Sequence, residues 1–365
     1  MINTDEVLVR ELANYTPGPP EPESLTIDVR LAVSALQKAI RRGNQAEALS
    51  CTRLLADKDP QRLWRRLAVI AMEDVGIGDF DVIANTIFAS RSKVWRDKQG
   101  GDGHVASYLV SRLCAAPKSR GTDDLGLVAE YHSDFEEARA ELACAPQASL
   151  CDLVADPSQP MAVRSLAGVY LAGTDRWSVN VLPHRRGHIR VVLELYDHIG
   201  VPDYVCEAIN GGAKKGRGLL PVNLGLMWLQ AAASTSRHIR DESASLTHLG
   251  VIDGVSSEAY DMHTQLGKRA LGYFSKACEP VREYLLRFVK ERHLYEVLVG
   301  LAWQAESSLV NRRLVYDGSE DLFEMAKVAS IAFGEFPAER VDEAIDLMRD
   351  HLPDLHRARL RVIER

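Results

Sequence analysis

The chain contains little cysteine, no long apolar run and no excess of positive charge, and each of these shortages excludes a class of protein. Only 6 of its 365 residues are cysteine and none forms a Cys-x-x-Cys pair, which favours a reducing compartment over a disulfide framework. No run of about 18 apolar residues exists, so the sequence predicts no membrane-spanning helix. The acidic first segment lacks the apolar core of a signal peptide. We therefore expect a cytoplasmic protein without membrane contacts.

The overall charge is mildly acidic, with 44 Lys and Arg residues against 51 Asp and Glu residues and a net charge of -7 at pH 7. Such a balance does not indicate nucleic-acid binding, although it leaves room for a local basic surface. The hydrophobic fraction of 46% and the charged fraction of 26% are those of an average globular protein, which excludes a disordered chain. The length suits two domains or one elongated helical body.

Apolar residues with helical spacing fill the sequence, whereas strict alternation is nearly absent. Leu31, Leu36 and Ile40, for example, fall on one helical stripe. Asp59 followed by Pro60 has the form of a helix start, with an N-cap and a proline at the first helical position. We therefore predict an all-α, multi-helix array. Its predicted helices include residues 124–143, 220–238, 257–277 and 305–313.

Changes in composition divide the chain into three parts. Residues 1–26 form a proline-rich, acidic lead-in, and residues 27–150 form a first helical domain. A softer break around Pro146 and Pro157 precedes a second helical domain of unknown type, residues 151–365.

Three segments of the first half carry a resemblance to a known family. They are residues 34–41 (SALQKAIR), 59–79 (DPQRLWRRLAVIAMEDVGIGD) and 116–119 (APKS). In this order and approximate spacing they resemble the helical C-terminal region of the MgsA/RarA (WRNIP-like) group of AAA+ ATPases, which is distantly akin to clamp-loader subunits. The resemblance covers residues 34–120. It implies a clamp-loader-like helical module, oligomerisation and a context of DNA replication or recombination.

The ATPase module that precedes this region in the family has no counterpart in the sequence. No Gly-x-x-x-x-Gly-Lys-Ser/Thr motif is present, and the nearest run, residues 211–218, lacks both its spacing and its Ser or Thr. The stretch ahead of residue 34 is too short to hold such a module. We therefore predict a non-enzymatic protein with no cofactor and no metal site, for which ATP is not an expected ligand.

Glu73 and Asp74 end a predicted helix, where carboxylates sit unfavourably with the helix dipole and need compensation. The same helix carries three arginines as the expected partners: Arg62, Arg65 and Arg66. We interpret the two acids, together with Lys118 of the third segment, as structural residues of an ion-pair and turn-capping network. A metal site or a catalytic base pair is the alternative.

Two cationic patches lie in the second half, at residues 183–190 (PHRRGHIR) and 214–217. If both face one side, guanidinium forks and lysine ammonium groups there would hold phosphate. The candidate DNA- or anion-contacting residues are Arg185, Arg186, Arg190, Lys214, Lys215 and Arg217. The alternative is a solvated surface loop. A metal at His184 and His188 is not expected, because no third ligand accompanies them.

The most unusual polar string is residues 260–269, which contains Asp261, His263 and Lys268. On a helix, Asp261 and Lys268 would share a face, and a nearby imidazole would serve as an acid or base. No nucleophile elbow or oxyanion motif accompanies these residues. A buried polar helix junction is the alternative interpretation.

Three functional hypotheses follow. The first is a non-enzymatic accessory protein of DNA replication, recombination or repair, acting through oligomerisation and contacts with protein or DNA. The second is a protein–protein scaffold or a modulator of an AAA+ ATPase. The third is an unrecognised enzyme centred on Asp261, His263 and Lys268. Protein partners or self-association are expected, and DNA is an open alternative.

Overall fold

Helices make up most of the structure. A computed structural model describes residues 4–16, 24–175, 181–214, 219–331 and 336–364. In chain order, the α-helices of these residues are α1 Thr4–Asn14, α2 Val29–Arg42, α3 Gln45–Lys58, α4 Pro60–Ile70, α5 Phe80–Arg91, α6 Lys93–Lys98, α7 Gly101–Ala115, α8 Gly121–Tyr131, α9 Glu136–Cys144, α10 Gln147–Ala155, α11 Met161–Ala172, α12 Ile189–His198, α13 Asp203–Ala213, α14 Leu219–Ala233, α15 Gln265–Ala277, α16 Glu279–Leu286, α17 Leu294–Ala302, α18 Ser319–Ile331, α19 Val341–Asp350 and α20 Leu352–Ile363. The predicted all-α class is confirmed.

Short elements connect these helices. Two π-helical turns occur among the described residues, at Ala71–Val75 and Trp303–Ser307. The strands are β1 Arg237–Asp241, β2 Val251–Ile252, β3 Val255–Ser256 and β4 Arg312–Tyr316. The 3-10 turns are Gly76–Gly78, Ser133–Phe135, Ser243–Ser245, Ser257–Ala259, Glu291–His293 and Ala338–Arg340.

Two of the predicted helices are wrong in part, because strands form where helix was predicted. β1 pairs with β4 in antiparallel register, with Arg237 opposite Tyr316, and β2 pairs with β3 in a small hairpin. The predicted helix 220–238 therefore ends at Ala233, and the predicted helix 305–313 is replaced by a π turn followed by β4. Local spacing misses β1 and β4 because their hydrogen bonds join segments that are far apart in the chain.

Two further predicted helices differ from the observed ones because of local hydrogen bonds at helix ends. The predicted helix 124–143 is interrupted at His132, whose backbone is extended and whose ring accepts a hydrogen bond from the backbone of Asp134. The predicted helix 257–277 begins only at Gln265, because the hydroxyl of Thr264 accepts a hydrogen bond from the backbone N–H of Gly267. By contrast, the predicted start of α4 is confirmed: the Asp59 carboxylate accepts from the backbone N–H of Arg62, and Pro60 follows the cap.

The buried apolar side chains of the described residues form two cores. The first extends in sequence from Leu8 to Ala326, and the second from Ala270 to Val362. Because Leu36 and Leu150 belong to the same core as Tyr196, the predicted boundary near residue 150 does not separate two cores. Leu8 of the predicted lead-in is also fully buried in the first core. Among the described residues, none of the helices combines the length and apolarity that crossing a bilayer requires.

The turn after the first π helix packs tightly against residues 116–119. A Cβ atom at Gly76 would lie 2.3 Å from the carbonyl oxygen of Ser119, and one at Gly78 would lie 2.1 Å from that of Pro117. Ser119 also donates its backbone N–H to the carbonyl of Val75, at 3.0 Å. Two of the three segments that carry the family resemblance are therefore in direct backbone contact.

We expect Gly76→Ala to destabilise the protein by more than about 2 kcal/mol, because Gly76 has φ +50° and its Cβ would clash with backbone. The matched control is Gly272→Ala in α15, where no atom lies within 4 Å of the added Cβ. This control should stabilise the protein by about 0.5–1 kcal/mol, the usual gain in a helix interior. Urea unfolding of both variants checks the prediction, and a neutral Gly76→Ala contradicts it.

Candidate functional site

A fully buried carboxylate, Asp74, joins the segments that carry the family resemblance. It accepts hydrogen bonds from Arg41 Nε at 2.6 Å, from Arg120 Nη1 at 2.6 Å and from Gln37 Nε2 at 2.9 Å. Burial alone would raise its pKa, but the Arg41 and Arg120 guanidinium groups outweigh burial and hold the pKa of Asp74 below 3.8. Asp74 is therefore ionised in the interior and neutralised by residues from two different parts of the chain. We refer to Asp74, Gln37, Arg41 and Arg120 as the Asp74 cluster.

The partners of Asp74 differ from those expected. Arg62 pairs with Asp59 at 3.2 Å, and Arg66 donates to the side-chain oxygen of Gln37 and lies 4.0 Å from Glu73. The π-helical turn Ala71–Val75 explains the difference, since its extra residue per turn carries Asp74 off the outer face of α4 and into the core. Glu73 stays at the edge of this cluster, where it accepts from Gln37 Nε2 at 2.7 Å.

Lys118 is buried and holds the end of α7. Its Nζ donates to the carbonyl oxygens of Leu113 and Cys114 at 3.0 and 3.1 Å, and also to that of Ala116. Burial lowers the pKa of Lys118 to about 8. Because these carbonyls lack partners within the helix, the lysine serves as a C-terminal cap and is not exposed to an anion.

A second set of buried charges connects α2 to the C-terminal part of the chain. Lys38 pairs with Asp261, and Arg42 pairs with Glu258 at 2.6 Å. Arg42 also donates to the carbonyl of Glu306 at 2.7 Å. We refer to these α2 pairs, together with those of Arg41, as the α2 ion-pair network.

The carboxylate of Glu306 is engaged in turn by Arg359 of α20, and both side chains are 1% exposed. Sequence reasoning missed these partners. A signal was available, because α2 carries four basic residues and no acid.

The structure does not bring Asp261, His263 and Lys268 together as one site. Asp261 precedes α15 instead of lying on it, so the expected shared helix face does not exist. Its carboxylate is buried against Lys38 and accepts the backbone N–H of His263 at 2.8 Å. Lys268 is exposed on α15. His263 lies on the wall of a cavity, where desolvation lowers the pKa of its imidazole below 6.5.

The predicted cationic residues have unequal roles. Arg185 caps α9 by donating from Nη1 to the carbonyl of Ala143 at 2.7 Å. Arg186 and Lys214 are exposed, and Arg190 is exposed with Glu194 at 3.8 Å. Lys215 and Arg217 lie outside the described residues.

A large cavity of about 1140 Å³ lies above the Asp74 cluster. Glu73, Asp123 and Trp303 line it, and the guanidinium carbons of Arg41 and Arg120 lie 4.7 and 5.1 Å from the ring centroid of Trp303. Burial raises the pKa of Asp123 to about 7, although Arg120, which hydrogen-bonds to it, opposes the shift. The buried cluster and the cavity are thus in direct contact.

The cavity also borders both cationic segments. Gly187, His188 and Ile189 line it from the first segment, and Ala213 and Leu219 line it on either side of the second. The charged residues of the cavity lining, unlike those of the two cationic segments, are mostly acidic. The lining carboxylates are Glu73, Asp123, Glu130, Asp175 and Glu296, and Arg66 is the one Lys or Arg among the described lining residues.

Within the described part of the chain, one group of three side chains of the kind that bind metals lies within 4.8 Å: Cys278, His351 and Asp354. His351 Nδ1 is already hydrogen-bonded to Asp354 at 2.8 Å, and Arg357 contacts the other carboxylate oxygen. This group shares no residue with the cavity lining.

Comparison with protein-family models, curated proteins and solved structures found no match to this chain. The resemblance of residues 34–120 therefore stays a prediction from the sequence. The Asp74 cluster and the cavity above it are the structural features that bear on function.

We expect Asp74→Asn to cost about 3–5 kcal/mol of unfolding free energy, because it leaves two buried guanidinium groups without a counter-charge. The control is Asp97→Asn, since Asp97 is 51% exposed and pairs with Lys93 on the surface. That change should cost about 1 kcal/mol or less. Chemical denaturation of the two variants measures the contrast, and equal losses would refute the role of Asp74.

The same variant has an expected pH dependence. A carboxyl group whose folded pKa lies below its unfolded value stabilises the protein above the unfolded value, and this contribution is lost as pH falls through the folded value. The stability difference between the native protein and Asp74→Asn should therefore hold from neutral pH down to 3.8 and shrink only below it. Denaturation curves at a series of pH values test this, and a difference that vanishes by pH 6 contradicts it.

Proposed function

We propose that the protein is a non-enzymatic accessory factor of DNA replication, recombination or repair that acts through self-association and contacts with protein or DNA. The observation that carries this proposal is the meeting of three sequence segments at Asp74. Arg41 ends the first segment, Asp74 lies in the second, and Arg120 directly follows the third. Their charged groups neutralise one another inside the fold, which supports a structural module of the kind that the resemblance implies.

The arrangement of the other charged motifs supports binding over catalysis. Lys118 is engaged by helix carbonyls, and Asp261 is engaged by Lys38. Neither is exposed to a substrate. Function in such a molecule is carried by its surfaces and its cavity.

Three of the predicted cations lie among the described residues and are available for DNA contact. Arg186, Arg190 and Lys214 are exposed, and none of them is buried in an ion pair. Their segments border one cavity from two sides, which supports a shared basic rim. Arg185 contributes less, because its guanidinium group caps α9.

We expect the protein to bind a short DNA duplex with an affinity that falls steeply as salt rises, because each cation that contacts a phosphate releases a counterion. The triple variant Arg186→Ala, Arg190→Ala, Lys214→Ala should weaken binding and lower the log–log salt slope by about 3. The matched control, Lys58→Ala, Lys93→Ala, Arg349→Ala, removes three other exposed cations and should change little. Fluorescence anisotropy across a salt series measures both.

Absence of binding at low salt would refute the DNA contacts, and equal losses in the two triple variants would refute their location. The contacts with protein are tested separately by the oligomeric state, measured by light scattering. A chain that self-associates without retaining DNA favours a scaffold or a modulator of an AAA+ ATPase. A strict monomer that binds no DNA refutes the proposal as a whole.

A further inference from the structure

We propose that strand β1 pairs with β1 of a second copy of this chain, in antiparallel register centred on Ile239, so that two small sheets become one across a two-fold axis. The inference rests on the self-association in the proposed function, and it names the surface that carries this association.

The sheet formed by β1 and β4 is closed on one side and open on the other. Beyond β4, the backbone N–H of Lys118 donates to the carbonyl of Arg312 at 2.8 Å, and the backbone N–H of Leu314 donates to the carbonyl of Lys118 at 2.9 Å. Beyond β1, no described segment pairs with the strand. All five side chains of β1 are exposed, and that of Ile239 is 47% exposed. β1 is therefore the open edge of this sheet.

The direction of the backbone groups in β1 follows from these hydrogen bonds. N–H and C=O groups alternate in direction along a strand, and Arg312 and Leu314 direct theirs at Lys118. The residues of β4 that alternate with them therefore direct theirs at β1, where they lie opposite His238 and Arg240. His238 and Arg240 are thus the residues of β1 that share hydrogen bonds with β4.

The other three residues of β1 direct their N–H and C=O groups away from β4. They are Arg237, Ile239 and Asp241, and no other described segment fills these positions. Exposed, unpaired backbone groups of this kind are a template for a further strand. The strand also lacks the proline and the bulge that block pairing at other sheet edges.

A second copy of β1 matches this edge when Ile239 lies opposite its own copy. In that register, Arg237 of each copy lies opposite Asp241 of the other, so that all three outward residues fall in pairs that exchange two hydrogen bonds each. A shift by two residues would leave Arg237 of each copy without a strand partner. The centred register therefore uses the edge most completely.

The charges of the edge agree with this register. Arg237 meets Asp241 of the partner copy, and the two-fold symmetry makes this contact twice. Among the described residues of its own chain, neither side chain forms an ion pair: Arg237 donates to the carbonyl of Ile77 at 3.2 Å, and Asp241 accepts from the backbone N–H of Ser243 at 2.9 Å. Opposite charges directly across two antiparallel strands stabilise their pairing.

The remaining cation of β1 does not oppose the pairing. Arg240 would lie beside His238 of the partner copy, but its guanidinium group is already paired with Glu242 at 3.0 Å and with Glu320 at 2.5 Å. Charged side chains usually protect an edge strand from association. In β1 the symmetric register instead brings unlike charges together.

Sedimentation velocity of the full chain over a concentration series tests the proposal, and we expect a concentration-dependent dimer. Ile239→Pro removes an outward N–H, and a proline at such an edge position leaves the hydrogen bonds to β4 in place. This variant should raise the dissociation constant of the dimer by about tenfold or more. Thermal unfolding verifies that the variant is folded.

Two charge reversals test the register independently of the proline. Arg237→Asp and Asp241→Arg each place like charges opposite one another, and each should weaken the dimer by about tenfold. An equimolar mixture of the two variants restores unlike pairs and should form heterodimers. The matched reversals Lys58→Asp and Asp57→Arg, at exposed positions of α3, should leave dimerisation unchanged.

Three results would overturn the inference: a chain that is monomeric at every concentration, a dimer that Ile239→Pro and both reversals leave intact, or a mixture of reversed variants that forms no heterodimer. The proposed function fails separately. A dimer that these variants leave intact self-associates through another surface, and a monomer that retains DNA keeps the proposed DNA contacts.

Discussion

The packing of the helices in this fold depends on one buried carboxylate whose charge has to be neutralised inside the protein. Asp74 has no exposed surface, and two guanidinium groups hold it ionised. A charge in the interior is tolerated only when its hydrogen-bonding positions are filled and its counter-charges are close. Arg41 and Arg120 can meet both conditions only if α2, the π turn and the start of α8 converge. The interaction therefore specifies the arrangement of helices more than it adds to their stability.

The Asp74 cluster also determines what is left for function. Lys38, Arg41 and Arg42 of α2 are engaged inside the protein, as is Lys118, so these charges are not available at the surface. Of the predicted cations, Arg186, Arg190 and Lys214 are exposed, and carboxylates line the neighbouring cavity. The exposed cations and the carboxylates of the cavity lining are thus neighbours on different parts of the same surface.

Sequence patterns predicted the helical class and several helix starts, because amphipathic spacing and capping are local properties. Asp59 followed by Pro60 was sufficient to locate the start of α4. The partners of Asp74 could not be found in this way, since the three arginines nearest in sequence lie on the other side of a π turn. Strands β1 and β4 were missed because their hydrogen bonds join segments that are far apart in the chain. The cavity was not predictable either, because its lining comes from many separate helices whose packing is not encoded in any one of them.

The α2 ion-pair network has a consequence for how the chain folds during synthesis. Lys38 leaves the ribosome 223 residues before its partner Asp261, an interval of roughly 10–45 s at a translation rate of about 5–20 residues per second. The Asp74 cluster, by contrast, is complete once Arg120 has emerged. In the nascent chain, Arg41 of α2 can therefore pair with Asp74 early. Lys38 and Arg42 stay hydrated until Asp261 and Glu258 have been synthesised. The positions of the acidic partners in the sequence thus set the order in which the ion pairs of α2 form.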